Sequence, residues 1–107
     1  MEGGVIVTLQ QILYNEFIYL EFDMNKDFNA WREQIQSIDS QVIGLLEQRF
    51  DLVAKIGHYK KQNGLPVRDE EREKILIQSV IKNTKLDQNF IRDFYQNLFT
   101  YAYLIEQ

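Results

Sequence analysis

The sequence contains no cysteine, which excludes disulfides, thiolate metal sites and a cysteine nucleophile together. Its one histidine, His58, has no Ser/His/Asp or metal-ligand spacing around it and reads as a surface or interhelical residue. No glycine-rich phosphate loop is present. Met1 to Asp23 carries no Lys or Arg, and polar residues interrupt every apolar stretch, so neither a signal peptide nor a membrane span is indicated. A cytoplasmic chain without metal or cofactor is therefore expected. Proline occurs once, at Pro66, which leaves long stretches free to be helical.

What is present is apolar bulk: seven Phe, six Tyr and one Trp in 107 residues, enough for one domain with a core. A domain of this size buries only a modest share of its surface alone, so a partner subunit would help. The net charge of -4 sits entirely in residues 1–30, where Glu2, Glu16, Glu21, Asp23 and Asp27 face only Lys26. Residues 31–107 are balanced, which argues against the basic surface that nonspecific nucleic-acid binding requires.

From Asn29 to Gln62 apolar residues recur in steps of four and three: Trp31, Ile35, Ile38, Val42, Leu45, Leu52, Ile56 and Tyr59. This is one face of a long helix, about 50 Å at the usual rise, too long for the remaining short segments to cover. Such a seam pairs with another helix, often from a second subunit. Asn63 and Gly64 suit a left-handed helix end, and Pro66 blocks continuation. Asp69 caps a second helix with Glu70 and Glu71 in its first turn, running to about Lys82 with Ile75, Leu76, Val80 and Ile81 on its apolar side. A third starts near Asp87 and carries Phe90, Ile91, Phe94, Leu98, Ala102 and Ile105. The aromatic residues of "FYQNLFTYAY" are assigned to core and dimer packing. The fold class is all-α, with a three-helix protomer. Ahead of it, Thr8 could cap a helix with Leu9, Ile12, Leu13, Phe17 and Leu20 inward, whereas Val5 to Val7 looks strand-like. Residues 1–28 read as an N-terminal extension of unassigned role, and Met24 offers an alternative start.

Cations break the seam. Arg49 takes the position between Leu45 and Leu52, and Lys60, eleven residues on, points within about 20° of it and about 16 Å along the axis. Arg32, seventeen before Arg49 and next to Trp31, lies beside the stripe, about 100° round the helix from Arg49. One long cation on an apolar stripe usually snorkels to water or pairs with a neighbour such as Asp39, Glu47 or Asp51. Three on or beside the stripe, with Arg72 as a fourth and Glu73 opposite, would line a pocket for a small dianion that carries a hydroxyl. With no nucleophile available, such a site would work by positioning and electrostatics.

The stretch "WREQIQSIDSQVIGLLEQRFDLVAKIGHYKKQNGLPVRDEERE" resembles the all-helical chorismate mutase family. The matching motifs are Arg-x-x-Ile-x-x-x-Asp, Leu-Leu-x-x-Arg, Gly-x-x-Lys and Pro-Val-x-Asp-x-x-Arg-Glu; the likeness runs from Trp31 to the end, and residues 29–107 are read as one domain. It implies an intertwined homodimer that rearranges chorismate to prephenate, in phenylalanine and tyrosine biosynthesis. Arg32 from the partner subunit and Arg49 would clamp the two carboxylates. Lys60 would meet the ether oxygen of the breaking bond, and Arg72 would add positive field. Glu73 would accept from the ring hydroxyl, and Asp69 would contact the same hydroxyl through its backbone.

The third helix departs from the family pattern. Ala102 stands where a serine often meets the ring carboxylate, so that hydrogen bond is lost. Glu106 stands where many bacterial members have glutamine beside the ether oxygen, a position at which fungal members resemble this sequence. A glutamate donates there only when protonated, so activity is expected to fall as Glu106 ionises. Its position near a helix end implies that a dimer partner or bound ligand holds that turn. The sequence leaves two alternatives open: pyruvate elimination from isochorismate on the same scaffold, and a noncatalytic helical dimer that binds a metabolite or a partner protein.

Overall fold

The computed structural model describes residues 8–107, residues 19–23 by their backbone only. The described residues form three α-helices, α1 (Leu9–Gln62), α2 (Glu70–Lys82) and α3 (Gln88–Glu106), and no strand. The strand-like Val5 to Val7 lies outside the described residues. None of these helices is long and apolar enough to cross a membrane.

Helix α1 starts where Thr8 caps it. Thr8 Oγ1 accepts from the Gln11 N–H at 3.1 Å, and the Thr8 carbonyl accepts from the Ile12 N–H at 3.1 Å. No Gly or Pro intervenes before Gly44, so the helical stretches read on either side of residue 29 are one element. The other end is closed by a Schellman motif: the Leu65 N–H donates to the Lys60 carbonyl at 2.9 Å and the Gly64 N–H to the Lys61 carbonyl at 3.5 Å. Gly64 takes φ 64°, a left-handed conformation that favours glycine. Asp69 Oδ1 then caps α2 by accepting from the Arg72 N–H at 3.0 Å, and Asp87 Oδ2 caps α3 from the Phe90 N–H at 2.9 Å.

The chain divides into two compact units, Met1–Ile43 and Gly44–Gln107. In the first, the described residues belong to α1 and its cap. The inward placement expected of Leu9, Ile12, Leu13 and Phe17 is therefore corrected, because among the described residues of this unit no second element packs on the helix; Leu9 is 72% and Phe17 63% exposed. Leu20 is among the residues whose side chains are not described. Trp31, Ile35, Ile38 and Val42 are also exposed.

In the second unit the C-terminal part of α1 combines with α2 and α3. Val53, Ile77, Ile91, Leu98, Phe99 and Ala102 form its core. On α2 it is Ile77 that is buried, while Leu76, Val80 and Ile81 are half-buried and Ile75 is exposed. On α3 the expected Ile91, Leu98 and Ala102 point inward and Phe90 does not. No described side chain is fully buried, so this core alone removes little apolar surface from water.

Candidate active site

The C-terminal half of α1 projects Arg49, Val53, Ile56 and Lys60 along one helical face by steps of four, three and four. Together with Leu52 they form one wall of a cavity of about 240 Å³ inside the second unit. The connector supplies Val67 and Asp69, α2 supplies Arg72, Glu73 and Leu76, and α3 supplies Phe99, Ala102, Tyr103 and Glu106.

Lys60 is the hub of the polar side. Its Nζ donates to the Val67 carbonyl at 2.6 Å and to Glu106 Oε2 at 3.5 Å, which leaves the third ammonium proton free for another acceptor. The Glu106 side chain is only 7% exposed. Gly57, one turn before Lys60, explains how Glu106 comes so near. A Cβ at residue 57 would lie 2.9 Å from Glu106 Cα, so only glycine lets the last turn of α3 touch α1. Lys61 ties the same turn down by donating from Nζ to the Gln107 carbonyl. The turn is thus held by α1 of its own chain, which corrects the expectation that a partner or ligand must hold it.

Arg49 is half-buried, and its Nη1 is buried with no hydrogen-bond partner among the described residues. Neither Glu47 nor Asp51 supplies one to that nitrogen. An unpaired buried guanidinium nitrogen costs desolvation energy that an anion in the cavity would return.

Glu73 faces the opposite side. Its Oε2 accepts from the Tyr103 hydroxyl, and Arg68 Nε stands 3.7 Å from Oε1. The Arg68 guanidinium also lies 5.4 Å from the Tyr103 ring centroid and 3.5 Å from Glu70. Burial pushes the Glu73 carboxyl above its ordinary range; Arg68 opposes this, Glu70 and Asp69 add to it, and Lys60 opposes it. Asp69 has spent Oδ1 on the α2 cap, and its carbonyl accepts from the Glu73 N–H at 3.1 Å.

The match to known families lies in this part of the chain. The family model for chorismate mutase type II matches residues 31–107. The chain belongs to the chorismate mutase type II family. A bifunctional chorismate mutase/prephenate dehydratase of Buchnera aphidicola subsp. Schizaphis graminum is 37% identical over 73 residues, covering 65% of this chain and 19% of that protein. The bifunctional chorismate mutase/prephenate dehydratase of Escherichia coli K12 is 32% identical over 81 residues, 73% of this chain and 21% of that one. The T-protein of Enterobacter agglomerans is 39% identical over 56 residues, 52% and 15% of the two chains. The chain thus spans about a fifth of the length of the curated relatives it matches. No solved structure matches it significantly.

Of the residues named from the chorismate mutase resemblance, Arg49, Lys60, Asp69, Arg72, Glu73, Ala102 and Glu106 all line the one cavity. Arg32 does not. It belongs to the first unit, is exposed, and lies 4.5 Å from the Phe28 ring centroid. The buried Ala102 presents only a methyl group to the cavity. Three residues that shape the site received no role there from the sequence. Val67 acts through its carbonyl, for which no side-chain signal exists, and Gly57 acts by lacking one. Tyr103 was assigned to packing, yet with Phe99, Ala102 and Glu106 it completes the face of α3 at steps of three, one and three that lines the cavity, which corrects that assignment.

Proposed function

We propose that the chain catalyses the rearrangement of chorismate to prephenate as a homodimer, within phenylalanine and tyrosine biosynthesis. The observation that carries this reading is the unpaired, buried Nη1 of Arg49, in the same cavity as a Lys60 with a proton to spare. Both await an anionic ligand. The relatives named above include enzymes whose names also specify a prephenate dehydratase.

Charge balance supports the details. Arg49, Lys60 and Arg72 face Asp69, Glu73 and Glu106 in the cavity lining, so the lining is neutral with every group ionised. A dianionic substrate then calls for further positive charge, which Arg32 of the partner subunit would supply. The exposed Trp31, Ile35, Ile38 and Val42 on the helix that carries Arg32 fit a surface that a second copy covers.

The mechanism follows from these placements. Arg49 and the partner's Arg32 hold the two carboxylates, so that the enolpyruvyl arm lies over the ring and part of the entropic barrier is removed before reaction. Glu73 accepts from the ring hydroxyl. As the carbon–oxygen bond breaks and the carbon–carbon bond forms, negative charge grows on the ether oxygen. The free proton of Lys60 meets it there, and this contact strengthens toward the transition state. Proton NMR of chorismate turnover tests the proposal. The wild type should form prephenate, and Lys60→Ala should lower kcat by about 10²-fold or more, the typical loss for one such donor. No turnover by the wild type would refute it and make isochorismate the next compound.

A further inference from the structure

Glu73 has its two oxygens engaged by different elements: Oε2 accepts from Tyr103 on α3, while Oε1 faces Arg68 on the connector. Tyr103 and Arg68 also touch each other, the guanidinium lying over the ring. The three side chains brace one another beside the cavity that Tyr103 and Glu73 both line. We propose that Tyr103 is a positioning residue whose phenol fixes the orientation of the Glu73 carboxylate and keeps it ionised, so that Glu73 can accept a hydrogen bond from a ligand hydroxyl. Only its kinetic consequence rests on the chorismate reading.

The physical argument turns on burial. The Glu73 side chain is 16% exposed, and taking a carboxylate out of water favours its neutral form. A protonated Glu73 would offer its proton to the ligand hydroxyl and lose an acceptor lone pair, which reverses the polarity of the contact. A phenol that donates to Oε2 favours the charged form, and it does so without bringing a second full charge into the cavity. It also removes the freedom of the carboxylate to rotate about its last bond. A carboxylate has about four lone-pair sites, so one bond from Tyr103 leaves capacity for a ligand. The other charged groups around Glu73 are Lys60 and Arg49 from α1, Arg68 and Asp69 from the connector, Glu70 and Arg72 from α2 and Glu106 from α3. These cations and acids oppose each other, which leaves the Tyr103 bond as the directional contact.

The test titrates the full chain labelled with carboxyl-¹³C glutamate and follows Glu73, assigned by the signal that Glu73→Gln removes. Tyr103→Phe keeps the ring under Arg68 and deletes only the hydroxyl. Its Glu73 midpoint should rise by about one pH unit, the worth of a hydrogen bond to a charged acceptor. Replacement of tyrosine by 3-fluorotyrosine, a more acidic donor, should move the midpoint down, which keeps the proposal testable if Tyr103→Phe does not fold. In turnover of chorismate, Tyr103→Phe should raise KM about tenfold with little change in kcat, and the acid limb of kcat/KM should follow the shifted midpoint. An unmoved midpoint overturns the proposal whatever the kinetics, because Tyr103 would then only pack. A raised midpoint in a chain inert toward chorismate would uphold Tyr103 and refute the chorismate reading.

Discussion

Glu106 is the residue on which the chemistry of the cavity turns. Its carboxylate lies 3.5 Å from Lys60 Nζ, on the ammonium group assigned to the ether oxygen. Ionised, it places a negative charge beside an oxygen that is itself becoming negative; protonated, it supplies a second donor. Glu106→Gln keeps the shape and donates without carrying a charge, so it should raise kcat/KM for chorismate. An unchanged kcat/KM would remove Glu106 from the reacting atoms. The other carboxylate, Glu73, works in the opposite sense. It must be ionised to accept from a hydroxyl, and because burial raises its folded value above 4.5, acceptance is lost as pH falls through that raised value.

At the scale of elements, the caps were the most legible feature of the sequence. Asp69 and Asp87 each accept from the N–H three residues on, and Gly64 ends α1 as the Asn-Gly pair implied. These are local effects, decided within four or five residues, and local sequence therefore reveals them. The approach of α3 to α1 is nonlocal, and Gly57 was visible only as part of a motif. Gly57→Ala separates the two scales. Alanine raises intrinsic helix propensity by about 1 kcal/mol, yet here its Cβ would sit 2.9 Å from a backbone atom, Glu106 Cα, which cannot move without taking the last turn of α3 with it. The variant should stay helical by circular dichroism while kcat falls about tenfold or more, since displacing a catalytic group by a fraction of an ångström is costly. Wild-type kcat in Gly57→Ala would mean that the turn yields without consequence.

The whole molecule is where the sequence was informative and one chain is not sufficient. Among the described residues, twenty-three large hydrophobic side chains are exposed against six buried in the core. The seam of α1 was readable because its period is helical, but what covers it depends on a second surface that periodicity does not name. Arg32 shows the same limit from the side of function: the family motif groups it with Arg49 and Lys60, yet it is absent from the cavity lining. A homodimer would resolve both facts, and subunit complementation tests it directly. Arg32→Ala and Lys60→Ala should each be nearly inactive alone. In a dimer formed from one of each, one site collects both defects while the other has an intact Lys60 and an intact Arg32 from across the interface. After unfolding and refolding an equal mixture, about half the dimers are mixed and each has one sound site of two, so activity should return to about a quarter of wild type. Sedimentation should give twice the 12.8 kDa chain mass throughout. Absence of recovery, with dimers present, would mean that Arg32 serves no site across the interface and that the further positive charge the substrate requires must come from elsewhere.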